Sequence, residues 1–307
     1  MMVDCKVAVT HCIQKWQLEE IQPIAYESFI SNYVAIVYSQ SYKQKCVLKI
    51  SVKDDAHRER KALQYFNDTT DTCVRLLDYD DKYDALLLSY ISAPVLATYF
   101  PERDDEALVI AANLIKQLYA KPCVFKRCKN FKLLTFNLIE RFSHELPAGL
   151  SQSLLLKAKA MGEMLVTTQK ALYVLHGDLH HNNILYDGVQ AIAIDPKGIV
   201  AELEFEVIRF IMNPKPELLE QENALAIITH RIERFSEIFG FDMQRLWQWF
   251  FVCSVQGACW AQEDGNVESV EYFGKLAHLV SGFVKIRANG VKLQQRGIVE
   301  ELVWIRE

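Results

Sequence analysis

LYVLHGDLHHNNILYDGVQAIAIDPKGI, residues 172–199, crowds polar side chains between short apolar runs. His176, Asp178, His180, His181, Asn182 and Asn183 stand close together, and Asp195 and Lys197 follow. YVL leads in, while NILY and AIAI flank Asp187-Gly188, a turn pair that predicts a hairpin. Strands of this kind fix loop side chains closely enough for chemistry. Asp178, Asn183 and Asp195 offer oxygen ligands, the hard donors that Mg2+ prefers, and few enough to leave room for phosphate and water. A carboxylate left without metal can orient an attacking hydroxyl. His180 and His181 read as hydrogen-bonding residues of the loop, because Mg2+ sites favour oxygen over imidazole.

The chain on either side of this island differs in period. Upstream, the β-branched and aromatic runs Tyr33–Ser39, Cys46–Val52, Cys73–Tyr79 and Asp84–Ile91 are separated by polar turns. Between the second and third, DDAHRERKALQYF (54–66) has helical spacing with Ala62, Leu63 and Phe66 apolar. With one more strand before Tyr33, this predicts a small antiparallel sheet and one packed helix. From Pro94 onward the pattern is long and helical, over 104–119, 127–144, 151–170, 216–239, 243–262 and 267–288. Leu246–Phe251, LWQWFF, reads as helix core. The break falls at SAP, so the expectation is an α+β chain with an N-terminal lobe at 1–92 and a C-terminal helical lobe at 93–307.

Half of the 307 residues are apolar and the net charge is −5, which excludes a disordered chain and a dedicated, strongly basic nucleic-acid binder. The basic stretch KPCVFKRCKNFK (121–132) reads as a solvated patch. Only 12 glycines and 8 prolines agree with a helix-rich fold. The 8 cysteines include no CxxC pair and no zinc spacing. MMVDCKVAVTHCIQKW lacks the apolar core of a signal peptide, and no apolar run is long enough to span a bilayer. The expectation is a cytoplasmic protein with reduced, mostly buried thiols and no membrane or nucleic-acid partner.

HGDLHHNNIL followed by IDPKG resembles the HGDxxxxN loop and metal-binding aspartate of the aminoglycoside phosphotransferases. The stretch IDPKGIVAELEFEVIRFIMNP is similar, more narrowly, to the streptomycin 6-kinase and hydroxyurea-resistance branch, whose pattern runs IDPKGxVGExxxE and then RNP. VLKI around Lys49, HRERKAL around Glu59, VRLLDYD, ALLLSYI and DMQRLWQWFFVCSVQGACWAQEDG extend the resemblance over roughly 16 to 265. It implies a two-lobed protein-kinase-like fold and an ATP- and Mg2+-dependent kinase. Asp178 would be the catalytic aspartate, and Asn183 and Asp195 would hold Mg2+ against the ATP phosphates. Lys49, paired with Glu59, would contact the phosphates, and the backbone of Ser89 to Ile91 would receive adenine.

Of three departures from the pattern, the first bears on nucleotide binding and the other two, beyond the metal site, on the acceptor. ESFISNY (27–33), where a phosphate-covering turn is expected, has no glycine; VGEP has become VAEL; and the arginine of RNP is Met212. The region after the island is acidic, with six glutamates in 201–222 and four acids in 262–271. Glu202, Glu263 and Asp264 are therefore candidate ligands for a cationic small-molecule acceptor such as an aminoglycoside, against the alternative of a solvated helix face. Lys197 reaches a phosphate or lies on the surface. DLHH also prompts a metal-dependent phosphoesterase, but the remaining histidines are scattered. A non-catalytic kinase-like module would have lost the lysine, a metal ligand or the aspartate, and all are present.

Overall fold

The computed structural model describes residues 5–24, 32–51, 55–120, 131–134, 139, 141–142 and 145–284. β1 (Leu18–Pro23), β2 (Asn32–Ser39), β3 (Gln44–Ser51), β4 (Leu76–Asp80) and β5 (Ala85–Ser89) form an antiparallel sheet in the order β1-β2-β3-β5-β4. The period-two alternation of β3 assigns its faces. Cys46, Leu48 and Ile50 join Ala35, Val37, Leu87 and Trp16 on one side. Lys49, between them in sequence, points to the other.

Each face has its own helix. α1 (Cys5–Trp16) covers the first, with Ala8, Cys12 and Trp16 buried at intervals of four and Trp16 Nε1 donating to Asp78 at 2.8 Å. The sequence reading contains no helix here, because three buried residues among polar ones make a faint stripe. α2 (Asp55–Thr69) covers the second face. Its buried stripe is Glu59, Ala62, Leu63 and Phe66, a helical i, i+3, i+4, i+7 series that opens with a carboxylate.

The expected strand 73–79 divides. Leu76–Asp80 enters the five-stranded sheet, whereas Cys73 bridges Ala193 outside it. Val74 N donates to Ala193 O and Ala193 N to Thr72 O, each at 2.9 Å, which ties the sheet region to the island.

The remainder is mainly helical: α3 (Asp104–Leu118), α4 (Gln152–Thr167), α5 (Leu203–Ile211), α6 (Glu217–Glu220), α7 (Ala224–Phe239), α8 (Met243–Glu263) and α9 (Val267–Val280). α8 is buried on nearly every side, with Leu246, Trp249, Phe250 and Phe251 fully enclosed, as an all-round apolar helix must be. The single helix expected at 216–239 is two, because polar Glu220–Asn223 separates the apolar stripes. The helix expected at 127–144 does not run unbroken: β6 (Lys132–Leu133) pairs in parallel with β10 (Ile199–Ala201), whose other neighbour is antiparallel β7 (Tyr173–Leu175). Most of the basic stretch 121–132 lies outside the described residues.

β8 (Ile184–Tyr186) and β9 (Ala191–Ala193) form the expected hairpin. Asp187 Oδ1 accepts from Val189 N and Gln190 N at 2.8 Å, and Gly188 takes φ +97°. Cys12, Cys46, Cys73, Cys253 and Cys259 are buried and unbridged; Cys123 and Cys128 lie outside the described residues. Among the described residues no helix is long and apolar enough to cross a membrane.

Candidate active site

The island folds around His176, which is fully buried where the chain leaves β7. Its Nε2–H donates to Ile194 O at 2.8 Å and its Nδ1 accepts from Asp178 N at 3.3 Å. Burial lowers its pKa to about 4, so the neutral ring joins the two loops. Gly177 takes φ +82°, and a Cβ there would meet Ile199 Cδ1 at 2.9 Å. Its N–H donates to buried Glu206 on α5, at 3.0 Å to Oε2. Burial, with Asp178 adding repulsion, pushes the Glu206 carboxyl up to about 8.

This anchoring presents Asp178 with its side chain 31% exposed. Arg209 Nε lies 4.0 Å from Oδ1 and His180 Nε2 lies 3.8 Å from Oδ2. Burial acts to raise the Asp178 pKa, but His180, Arg209 and Lys197 outweigh it and hold the group below the usual carboxylate range. It is an anion at neutral pH. Asn183 closes the same loop, donating from Nδ2 to Asp178 O at 2.9 Å. Its amide oxygen remains an acceptor, and its backbone O accepts from Ile194 N at 3.0 Å, next to Asp195.

Asp195 occupies the left-handed region at φ +60°, where aspartate is tolerated better than most residues. Lys49 Nζ from β3 meets its Oδ1 at 2.6 Å, and Lys197 Nζ lies 3.1 Å from both oxygens. Burial would raise the Asp195 pKa, but the two lysines override it and hold it far below the usual range. Lys197 is held above the usual lysine range by Asp195, Asp178 and Glu59 against the opposing effect of burial. Lys49 also bonds Glu59 Oε2 at 2.7 Å, supplying the partner that a carboxylate in an apolar helix stripe requires. The result is a connected series, Glu59–Lys49–Asp195–Lys197, in which signs alternate.

A hard cation fits this donor set. Asn183 and Asp195 can supply an amide and a carboxylate oxygen from segments joined by the Ile194 N to Asn183 O bond, and among the described residues no group of three or more His, Cys, Asp or Glu is placed to hold a metal unaided. Such a pair leaves positions for phosphate and water, the arrangement Mg2+ takes. His181 is no ligand of it: the ring is fully buried and stacks on Phe210 at 3.8 Å between centroids.

The remaining candidates sort unevenly. Ser89 ends β5, and its N–H is not available to a ligand because it donates to Arg75 O at 2.9 Å. Tyr90 and Ile91 follow outside any helix or strand, and among the described residues their N–H groups have no backbone partner. Glu202 does not join the site. It is 3% exposed, and its Oε1 accepts from Arg245 Nε and Trp249 Nε1, so it braces α5 against α8. Glu263, at the end of α8, pairs with Arg141, and Asp264 is exposed beside it. Met212 is buried in the core, and the cation this helix sends toward Asp178 is Arg209. Glu206 and Arg209 have no role in the sequence reading, although Glu206 fills the last position of IDPKGxVGExxxE, and Arg209, three residues on, shares its face of α5. Most of ESFISNY lies outside the described residues.

A five-stranded antiparallel sheet that delivers a lysine to an HGD loop and a following aspartate defines a protein-kinase-like fold. Choline/ethanolamine kinase family protein from Mesorhizobium loti has this fold, with a TM-score of 0.67 at 15% identity over 94% of this chain and 96% of that one. Aminoglycoside phosphotransferase APH(4)-Ia matches with a TM-score of 0.65 at 12% identity over 90% and 98%. Residues 15–265 match the aminoglycoside/hydroxyurea antibiotic resistance kinases, and the chain belongs to that family. It is 34% identical to streptomycin 3''-kinase of Klebsiella pneumoniae over 113 residues, 35% of this chain and 42% of the relative. Hydroxyurea phosphotransferase of Kitasatospora aureofaciens is 27% identical over 216 residues, 68% and 60% of the two chains. Both matches span less than two thirds of the relatives' own lengths.

Proposed function

We propose that this chain transfers the γ-phosphoryl group of ATP to a hydroxyl of a small molecule, of the streptomycin-like aminoglycoside class or a related aminocyclitol or sugar. The observation that carries this reading is Lys49, which joins Glu59 to Asp195 while the Asp178 carboxylate stands ionised and open beside them. Phosphoryl transfer passes through a loose transition state, so the protein's work is positioning and neutralising charge. Lys49 and Lys197 suit the phosphate oxygens. Mg2+, held by Asn183 and Asp195 when bound, would supply further neutralisation of the phosphates. Asp178 orients the acceptor hydroxyl and takes its proton. Tyr90 and Ile91 offer free N–H groups for adenine, with Ser89 serving the sheet.

In this reading residues 1–92 form the nucleotide lobe and 93–307 the catalytic and acceptor lobe. Family membership supports a kinase over a metal-dependent phosphoesterase, and His176 and His181 are committed to Ile194 O and to Phe210 rather than to a two-metal cluster. The names of the curated relatives support streptomycin and hydroxyurea as first acceptors to try. The test is ADP release coupled to phosphorylation of a hydroxyl-compound panel containing both, with Mg2+ present or chelated. Mg2+-dependent transfer to at least one member is expected; ATP turnover with no phosphorylated acceptor anywhere in the panel would contradict it.

A further inference from the structure

Arg209 is a largely buried cation whose charge helps keep Asp178 ionised but whose hydrogen-bonding capacity is unused. It sits on α5 with its side chain 9% exposed. Its Nε is buried with no hydrogen-bond partner, and the 4.0 Å approach to Asp178 Oδ1 is too long for a hydrogen bond. Among the described residues its guanidinium makes no hydrogen bond at all. Aromatic rings cover it instead, with Trp260 5.3 Å and Phe205 5.9 Å from Cζ. The neighbouring acids cannot serve it: Glu202 is taken by Arg245 and Trp249, and Glu206 by Gly177. A guanidinium whose Nε is desolvated and unmatched is costly unless an oxygen-bearing ligand completes it.

We propose that Arg209 binds an oxygen atom of the acceptor beside the hydroxyl that is phosphorylated. It thereby selects neutral or anionic acceptors over those with an ammonium or guanidinium at that point. The inference rests on the kinase reading and deepens it. Nucleotide phosphates are not the intended partner, because Lys49 and Lys197 already line Asp195, whereas the field of Arg209 falls on Asp178 and His180. An acceptor cation is compatible with this site when it lies away from the reacting hydroxyl, toward exposed Asp264.

The test compares wild type with Arg209→Met and Arg209→Lys on matched acceptors, a neutral cyclitol and its amino counterpart, together with hydroxyurea and streptomycin. Methionine keeps an apolar stem but takes one neighbouring cation from Asp178, so melting temperature is measured alongside and kinetics are compared on folded protein. Wild type is expected to prefer the neutral member of the pair. Arg209→Met should raise that acceptor's KM at least about tenfold, the scale of one charge-assisted hydrogen bond, with the ATP KM within about twofold. Arg209→Lys should fall between. An unchanged acceptor KM, or a tenfold rise in the ATP KM instead, would overturn the inference while leaving the kinase standing. Absence of transfer by folded wild type to every acceptor would overturn both.

Discussion

Glu59, Lys49, Asp195 and Lys197 pair at 2.6–3.1 Å in a series of alternating charge, whereas Arg209 faces Asp178 at 4.0 Å with no hydrogen bond. In the first group every charge has an opposite partner within hydrogen-bond reach before any ligand arrives, although Glu59 Oε1 is buried without a hydrogen bond. The pairing is needed, because its members come from β3, α2 and the island, and an unpaired charge in any of them would oppose closing the sheet onto the loop. The second arrangement is left open on the helical side, where the proposed acceptor would meet it. A site can thus be rigid toward the substrate part that never changes and unsatisfied toward the part that confers specificity.

Removing Lys49 is the harshest way to break the closed side. Lys49→Met leaves Glu59 buried without its cation, and a loss of about 3–5 kcal/mol of stability is expected. Activity in the folded fraction should fall on the order of 10²-fold or more as phosphate neutralisation is lost. Denaturant melts and the ATP KM together check both; a variant with wild-type stability would show that Glu59 needs no partner. Next comes Glu202→Ala, which orphans Arg245 and Trp249 Nε1. It should cost about 3 kcal/mol while leaving the acceptor KM within about twofold. A large change in acceptor KM at unchanged stability would return Glu202 to the acceptor site.

Glu206 sharpens the comparison through pH. Its carboxyl keeps a proton in the folded state up to about 8, against an ordinary value of 4.5. The folded state therefore binds more protons than the unfolded one across that window, and this contribution to stability is lost as pH rises from 4.5 toward 8. Glu206→Gln should flatten the decline of melting temperature over the window, and an unaltered slope would mean that Glu206 is ionised in the fold. The smallest effect is expected from Glu263→Gln with Asp264→Asn. Glu263 already pairs with Arg141 on an exposed surface. Stability should move by less than about 1 kcal/mol, and the KM of a cationic acceptor should rise no more than about threefold; a tenfold rise would restore Glu263 as a direct ligand.

The closed side was legible in the chain because its residues announce themselves locally. Asp178, Asn183 and Asp195 fall within one island, whereas Lys49 and Glu59 are marked only by the resemblance of VLKI and HRERKAL to the kinase family, since Lys49 alone reads as a surface strand lysine. The open side was not. A lone arginine on a helix reads as a solvated residue, and only tertiary packing of α5 against α8 turns Arg209 inward and Glu202 into a brace. The fold followed the same division. Dense apolar and β-branched runs marked β3 and β5 nearly whole, while α1, with its sparse stripe, escaped. The run at 73–79 concealed a division of labour between the sheet and a bridge to Ala193. Local pattern carries the elements; which buried charge answers which is decided by long-range contact.

The central claim is that Asp178 positions and deprotonates an acceptor hydroxyl for attack on ATP. Single-turnover transfer from γ-labelled ATP, measured for wild type and Asp178→Asn alongside nucleotide affinity, tests it most directly. The account predicts transfer by wild type, a fall on the order of 10²–10⁴-fold in the variant, and ATP affinity unchanged within about twofold. Transfer by Asp178→Asn at the wild-type rate would contradict it.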